Sequence, residues 1–443
     1  MSRRNAILNI DWITLLIYFL LIFIGLITIY STNYNIESTS IFDFKMEYGK
    51  QFIWIVASLT IVFIVLNIEG KIFSLFSWPI FGFVVFLLIL VLILGKEVHG
   101  NKAWIAIGSF SLQPAEFAKL ATSLALAKYL GVKNRDITKI DQRLKAFLII
   151  LIPVGLVMLQ PDTGSALVAA AFLFTLYREG MNGAILLVGV SSILVGVLAI
   201  VASYNYFSFP LLGETSLLWV FLVFLSLLSF AIWWVIDKTV IPRKRKIYKR
   251  IIIFSTIISI FYSVGISSLM NSGILKFHHQ TRIELLLGIA DEKLVQRYDY
   301  NMLMSKSAIG SGGFFGKGFN NGPMTRYNFV PEQGTDFIFT SIAEEWGFLG
   351  SFVVVVLFMV FILRIVFLAE RQKSTFSRVY AYSIAGIFFM HILINIGMVI
   401  GLAPVIGIPL PFISYGGSSL LSFSIMIAIL IRLDAERYMK IGG

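Results

Sequence analysis

About twelve long apolar runs, broken by short polar stretches, constrain this chain more than any motif it carries. A helix needs about 20 mostly apolar residues to cross the hydrocarbon core of a bilayer. In order, the runs are Trp12–Tyr30, Phe52–Leu66, Leu75–Leu94, Ala115–Leu130, Leu144–Leu159 and Thr163–Tyr177. Ala184–Val201, Leu217–Ile236, Ile251–Leu269, Phe337–Phe367, Val379–Ile400 and Leu420–Leu433 follow. Thr163–Tyr177 is short for a span, whereas Phe337–Phe367 is long and should tilt or begin outside the hydrocarbon. With 58% hydrophobic and 14% charged residues, no ordinary soluble domain fits. The expected fold class is an all-α polytopic membrane protein, one integral domain over residues 1–443. There is no cysteine, which removes disulfides, thiolate metal sites and cysteine nucleophiles. Met1-Ser2-Arg3-Arg4-Asn5 precedes its apolar run without a small-residue cleavage site, so it reads as the start of a retained first helix.

Orientation follows from Lys and Arg, which collect in cytoplasmic loops. Placing the N-terminus inside and alternating puts about two-thirds of the 36 Lys and Arg on inner segments and helix ends. The short outer loops then carry only Lys45, Lys50, Lys96 and Lys102. Both termini are expected in the cytoplasm, and the net charge of +12 is explained without nucleic acid. The run Arg243-Lys244-Arg245-Lys246-Ile247-Tyr248-Lys249-Arg250 reads as a juxtamembrane anchor touching anionic membrane lipids. Residues 271–336 become a large extracytoplasmic loop. His99–Leu112, Gln160–Thr163 and Gly401–Pro411 join it on the outer face.

Polar chemistry is densest at Val330-Pro331-Glu332-Gln333-Gly334-Thr335-Asp336-Phe337. A carboxylate at the rim of a membrane helix is costly unless solvated, paired or used. Asp336 is therefore the candidate catalytic residue, with Glu332 and Thr335 as candidate substrate contacts. A plain helix cap behind Thr335 is the alternative. Pro114 suits the first position of a helix, and Glu116 and Lys119 share one face of it. They form either a structural ion pair or a charged wall for an anionic lipid head. In Gln160-Pro161-Asp162-Thr163-Gly164-Ser165, Asp162 either caps backbone amides or contacts a metal or diphosphate.

His278 and His279 are adjacent, and neighbours rarely point the same way, which argues against a metal site there. Gly310-Ser311-Gly312-Gly313-Phe314-Phe315-Gly316-Lys317-Gly318 mimics a nucleotide-binding glycine loop but lacks the strand–loop–helix surroundings. Its amides can still cradle phosphate oxygens, and Lys317 adds a cation. Ile408-Pro409-Leu410-Pro411-Phe412-Ile413-Ser414-Tyr415-Gly416-Gly417-Ser418-Ser419 interrupts the chain before the last run. Irregular backbone at membrane depth is tolerated where protein buries it or water reaches it. Ser414 and Ser418 thus belong to a structural re-entrant turn or line a cavity.

Together these motifs resemble one family. Gln113-Pro114-x-Glu116-Phe117-Ala118-Lys119, Gln160-Pro161-Asp162-x-Gly164, Ala308-Ile309-Gly310-Ser311-Gly312-Gly313, Thr335-Asp336-Phe337-Ile338-Phe339 and Ser414-Tyr415-Gly416-Gly417-Ser418-Ser419 are similar to those of SEDS proteins. These are the shape, elongation, division and sporulation polymerases. Arg282-Ile283, Gly316-Lys317-Gly318-Phe319 and Gly407-Ile408-Pro409-Leu410-Pro411-Phe412 look more like the RodA branch than the FtsW branch. The resemblance implies a core of about ten helices. Leu217–Ile236 and Ile251–Leu269 then read as an inserted transmembrane pair over 217–269, its even number preserving the topology downstream. Departures from the family pattern are Ala103 beside Lys102 for an Arg, Met304 for a Gln, and Gly334 for a His.

The resemblance also implies a peptidoglycan glycosyltransferase polymerising lipid II at the outer face of the bacterial cytoplasmic membrane, for cell elongation and shape. A class B penicillin-binding protein that crosslinks the strands is the implied partner. The family's essential acidic residue matches Asp336. In the implied reaction a sugar 4-hydroxyl attacks an anomeric carbon, and undecaprenyl diphosphate leaves. Asp336 would be the general base. Lys119, Arg282, Lys317 or a divalent cation, magnesium or manganese, would offset the departing charge. No organic cofactor is expected. Two other classes stay open: a lipid II flippase, which many spans and Pro/Gly breaks suit equally, and a non-catalytic scaffold for a partner synthase.

Overall fold

The computed structural model describes residues 9–33, 44, 46–98, 101–107, 110–132, 135–204, 206–209, 213–239, 242–271 and 300–437. In chain order the elements begin with α1 (Trp12–Thr32), α2 (Glu47–Asn67), α3 (Gly70–Leu75) and α4 (Ser77–Leu94). Next come β1 (Lys96–Val98), β2 (Asn101–Ile107), β3 (Phe110–Leu112), α5 (Pro114–Leu130), α6 (Ile140–Leu159), α7 (Thr163–Val168) and α8 (Ala171–Arg178). Then follow α9 (Gly183–Tyr204), β4 (Tyr206–Phe209), β5 (Gly213–Ser216), α10 (Leu217–Thr239) and α11 (Pro242–Asn271). The last are α12 (Tyr300–Gly312), α13 (Pro323–Arg326), α14 (Ile338–Glu370), α15 (Thr375–Val399) and α16 (Gly417–Ala435).

All twelve apolar runs are helical, and among the described residues ten helices are long and apolar enough to cross a membrane. The other two runs are shorter: α5 has 17 residues, and Thr163–Tyr177 divides into α7 and α8. The chain is a multi-pass, predominantly helical membrane protein. Local signals act as chemistry dictates. Pro114 opens α5, and the Asp11 carboxylate caps α1 by accepting from the Thr14 amide at 3.1 Å. The stretch read as the outer loop His99–Leu112 takes part in a small antiparallel sheet, β1-β2-β3, with Ile105 opposite Leu112.

Two compact units result, residues 1–181 with 301–443 and residues 182–300. In the first, Phe412 enters the centre from the connection between α15 and α16. Its ring centroid lies 5.1–5.9 Å from those of Tyr18, Phe361, Phe388 and Phe423. The connection is therefore re-entrant, plugged into the core by an aromatic anchor.

The long run Phe337–Phe367 is not one straight span. Helix α14 breaks at Gly347, whose φ of 64° and ψ of −160° are non-helical. A Cβ at Gly347 would strike the Gly316 amide and the Phe314 carbonyl, while one at Gly316 would strike the Glu345 carbonyl. Two backbones cross here at a distance only glycine allows. Gly347→Ala is expected to cost about 2 kcal/mol or more, read as a lower Tm of the purified protein. An unchanged Tm would show that the break tolerates a side chain.

The helix ends of this unit sort into two groups. One end is knitted by ion pairs: Arg364 with Asp11, Arg371 with Asp434, and Arg378 with Glu179 at 2.9 Å. Glu436 pairs with Arg432 at 2.6 Å and accepts from the Gly70 amide at 2.9 Å. Burial alone would raise the Asp11 carboxyl, but hydrogen bonds from Arg364 and Thr14 outweigh it and hold the group below its ordinary value. The opposite end carries the candidate site.

In the second unit, α9, α10 and α11 pack together beside the β4-β5 hairpin, where Tyr206 faces Ser216. Lys249 of the basic run pairs with Asp237 at 2.5 Å and lies 3.9 Å from the Trp233 ring, tying α11 to α10. Most large apolar side chains of α10 and α11 are exposed, as suits helices solvated by lipid.

Candidate active site

Asp336 sits in a tight turn just before α14. Glu332 adopts a left-handed φ of 55°, and its carbonyl accepts from the amides of Thr335 at 3.1 Å and Phe337 at 3.2 Å. The Thr335 hydroxyl donates to the Glu332 carboxylate at 2.9 Å. Buried Gln333 anchors the turn below, donating to the carbonyls of Thr32 at 3.0 Å and Thr325 at 2.9 Å.

The re-entrant connection holds the turn from the other side. The Tyr415 amide donates to the Gly334 carbonyl at 2.8 Å, and the Ser414 hydroxyl to the Thr335 carbonyl at 2.6 Å. From α15, the Asn395 amide donates to the Asp336 carbonyl at 2.9 Å. Gly407, at a φ of 70°, lies directly against the Asp336 side chain; a Cβ there would be 3.3 Å from Oδ2. Asp336 itself stays half-buried. A backbone fixed on three sides thus presents one carboxylate at the end of the bundle.

Asp162 caps α7 through the Ser165 amide at 3.0 Å and accepts from the Gln113 side chain at 2.9 Å. The Gln113 backbone amide donates in turn to the Ser418 hydroxyl at 3.1 Å. Two residues into α7, Gly164 packs so tightly on the connection that a Cβ would lie 2.6 Å from the Ile406 carbonyl. The 406–408 segment is therefore flanked by Asp336 and by the helix that Asp162 caps.

Glu116 and Lys119 form the expected i,i+3 pair at 2.7 Å, but inside the bundle, with side chains 3% and 4% exposed. Lys119 also meets His391 Nε2 at 2.8 Å, and His391 Nδ1 lies 3.2 Å from the Pro409 carbonyl. A cavity of about 20 Å³, roughly one water, touches Lys119, Thr122, Val157, Ser165 and Ala169. The charged-wall expectation is corrected here. A headgroup at the surface cannot touch a pair buried this far, whose charges answer each other.

The glycine loop is corrected as well. The amides of Lys317 and Gly318 donate to the Glu344 and Glu345 carbonyls at 3.0 and 2.9 Å, and that of Gly316 to Gly312 at 2.9 Å. Amides spent on the fold cannot cradle a phosphate. The Lys317 side chain remains exposed. Arg282, His278 and His279 lie outside the described residues. Among the described residues no three His, Asp or Glu side chains gather in a metal-binding group, and both Asp162 oxygens already accept hydrogen bonds. These residues do not make a resident divalent-cation cage.

Sequence reading passed over Asn395, His391 and Glu47. A polar pair four residues apart inside the Val379–Ile400 run was the available signal, since intramembrane polar residues are costly to keep. Glu47 lies close to Gly334: a Cβ there would be 3.1 Å from its Oε2. Burial first, then the Glu47 charge, pushes the nearby Tyr415 hydroxyl above its ordinary value.

The profile of the FtsW/RodA/SpoVE family, described as cell cycle proteins, matches residues 11–215 and 209–439. The chain is 32% identical over 443 residues to the peptidoglycan glycosyltransferase RodA of Treponema pallidum (strain Nichols), across 98% of this chain and 100% of that protein. It is 28% identical over 390 residues to the peptidoglycan glycosyltransferase MrdB of Escherichia coli (strain K12), across 87% and 85%. In fold it is similar to a chain from a peptidoglycan synthase complex whose structure concerns the coordination of polymerization and crosslinking. That match has a TM-score of 0.67 at 23% identity, covering 97% of this chain and 99% of that one. The rod shape determining protein RodA of Thermus thermophilus matches with a TM-score of 0.57 at 22% identity, across 97% and 98%.

Proposed function

The chain belongs to the FtsW/RodA/SpoVE cell cycle protein family, and on that premise we propose that it is a peptidoglycan glycosyltransferase polymerising lipid II, with Asp336 as general base. The observation carrying this reading is the half-buried Asp336 carboxylate on a turn clamped by Asn395, Ser414 and Tyr415. Pre-set geometry of this kind is what proton transfer in a bond-forming step requires.

In the proposed step the sugar O4 bonds to the anomeric carbon while that carbon's bond to the diphosphate oxygen breaks. The O4 proton passes to Asp336, and the bonding pair departs with undecaprenyl diphosphate. Lys317, whose side chain is exposed, answers the departing charge together with Arg282. Lys119, engaged by Glu116 and His391, supports the site from within. Purified chain reconstituted with lipid II is expected to yield glycan strands, scored separately from lipid translocation. Translocation without strands would overturn this reading in favour of a flippase.

The site faces outward, with both termini cytoplasmic. Support comes from the ion-paired end, which carries Arg364, Arg371, Arg378, Arg432 and Arg437, as inner ends do. The crosslinking partner is a class B penicillin-binding protein, in keeping with the synthase complex that the fold matches. Helices α10 and α11 form an inserted pair. Deleting residues 217–269 is expected to leave the loop after them outside, and a reporter fusion in that loop reading cytoplasmic would refute the pairing.

A further inference from the structure

Asn395 stands in the last turns of α15, in a run that is otherwise almost wholly apolar. It is fully buried. One side-chain nitrogen serves two carbonyls from two different segments, Asp336 at 2.9 Å and Ile408 at 2.6 Å. Its oxygen, Oδ1, has no hydrogen-bond partner. An amide facing two acceptors can only turn its NH2 toward them, because the flipped orientation would set three oxygens together. Asn395 therefore acts purely as a double donor.

The segment it holds needs such help. Pro409 and Pro411 bring no N–H, so 408–411 cannot build its own helical ladder. Carbonyls at this depth still require donors. One turn earlier on the same face of α15, His391 takes the next carbonyl, that of Pro409, at 3.2 Å. On its other side His391 meets Lys119, which is paired with Glu116. Contacts thus run from Glu116 through Lys119 and His391 to the Pro409 carbonyl, and the adjacent Ile408 carbonyl is joined through Asn395 to the backbone of Asp336. Gly407, the residue against the Asp336 carboxylate, immediately precedes the carbonyl that Asn395 holds.

We propose that Asn395 is a positioning residue for Asp336: its double donation locks the 407–408 segment to the Asp336 backbone and so sets where the carboxylate points. This rests on Asp336 being the general base. Removing the donors releases the Asp336 and Ile408 carbonyls from each other, and a displacement of about 1 Å at a reacting group can cost on the order of 100-fold in rate.

The test compares Asn395→Leu, which keeps the bulk and removes both donors, with Asn395→Ala, alongside Asp336→Asn. Each full-length protein is purified and checked for folding by thermal melting. The readouts are glycan polymerisation at varied lipid II and amide hydrogen exchange over residues 334–337 and 413–416. The expected result is a roughly 10- to 100-fold lower kcat, a KM within about twofold, and faster exchange in those segments. Parent-like kcat in both Asn395 variants, with Asp336→Asn inactive, overturns this proposal and leaves the Asp336 reading standing. Loss of kcat that merely follows loss of folded protein in both variants also overturns it. Normal polymerisation by Asp336→Asn defeats the general-base reading itself, and this proposal with it.

Discussion

Asp336→Asn is expected to reduce polymerisation of purified lipid II by roughly 100- to 10,000-fold, the range that general-base catalysis contributes. The substitution keeps the size of the side chain and removes its capacity to take a proton. The turn should survive, because its clamps act on backbone: Asn395 on the Asp336 carbonyl, Ser414 on Thr335 and Tyr415 on Gly334. An unchanged Tm with lost activity is therefore the predicted signature. Asp336→Glu keeps the base but lengthens it toward Gly407, which already lies close to Oδ2, so partial activity is expected. If Asp336→Asn makes strands at the parent rate, the carboxylate is no base, and cap-like behaviour behind Thr335 becomes the better account. A scaffold without its own chemistry predicts the same parent-like result in cells, with normal shape.

Breaking the buried Glu116–Lys119 pair should have the largest effect on stability. Removing one member of a buried ion pair typically costs about 3–5 kcal/mol, because the other charge is left without compensation. Lys119→Met strands the Glu116 carboxylate, whose Oε2 already lacks a partner, and takes the contact from His391 Nε2. Glu116→Gln strands the ammonium beside the Phe423 ring, 5.6 Å from its centroid. The double variant Glu116→Gln with Lys119→Met should recover most of the loss, since it leaves no unpaired charge. Thermal unfolding of the four proteins closes the cycle. Additive losses, or single variants as stable as the parent, would show that the two charges are not coupled.

Much was legible in the residues themselves. Runs such as Trp12–Tyr30 and Leu217–Ile236 could only be membrane helices, because nothing else hides so much apolar chain in a bilayer. The signals at Pro114 and Asp162 are local and acted locally, one opening α5 and the other capping α7. Asp336 stood out because a carboxylate at a helix rim needs a reason.

Other features were hidden in principle. Nothing in Trp346-Gly347-Phe348 announces a break, since glycine is tolerated in apolar helices; the crossing with Gly316 makes it one. The glycine loop seemed suited to phosphate until the carbonyls of Glu344 and Glu345 claimed its amides. Asn395 serves a carbonyl 59 positions away, and Lys119 meets an imidazole 272 positions away. Composition decides which stretches lipid will accept, because that is a property of each stretch alone. Which donor meets which carbonyl depends on segments brought together only by packing, and for this protein that decision belonged to the tertiary structure.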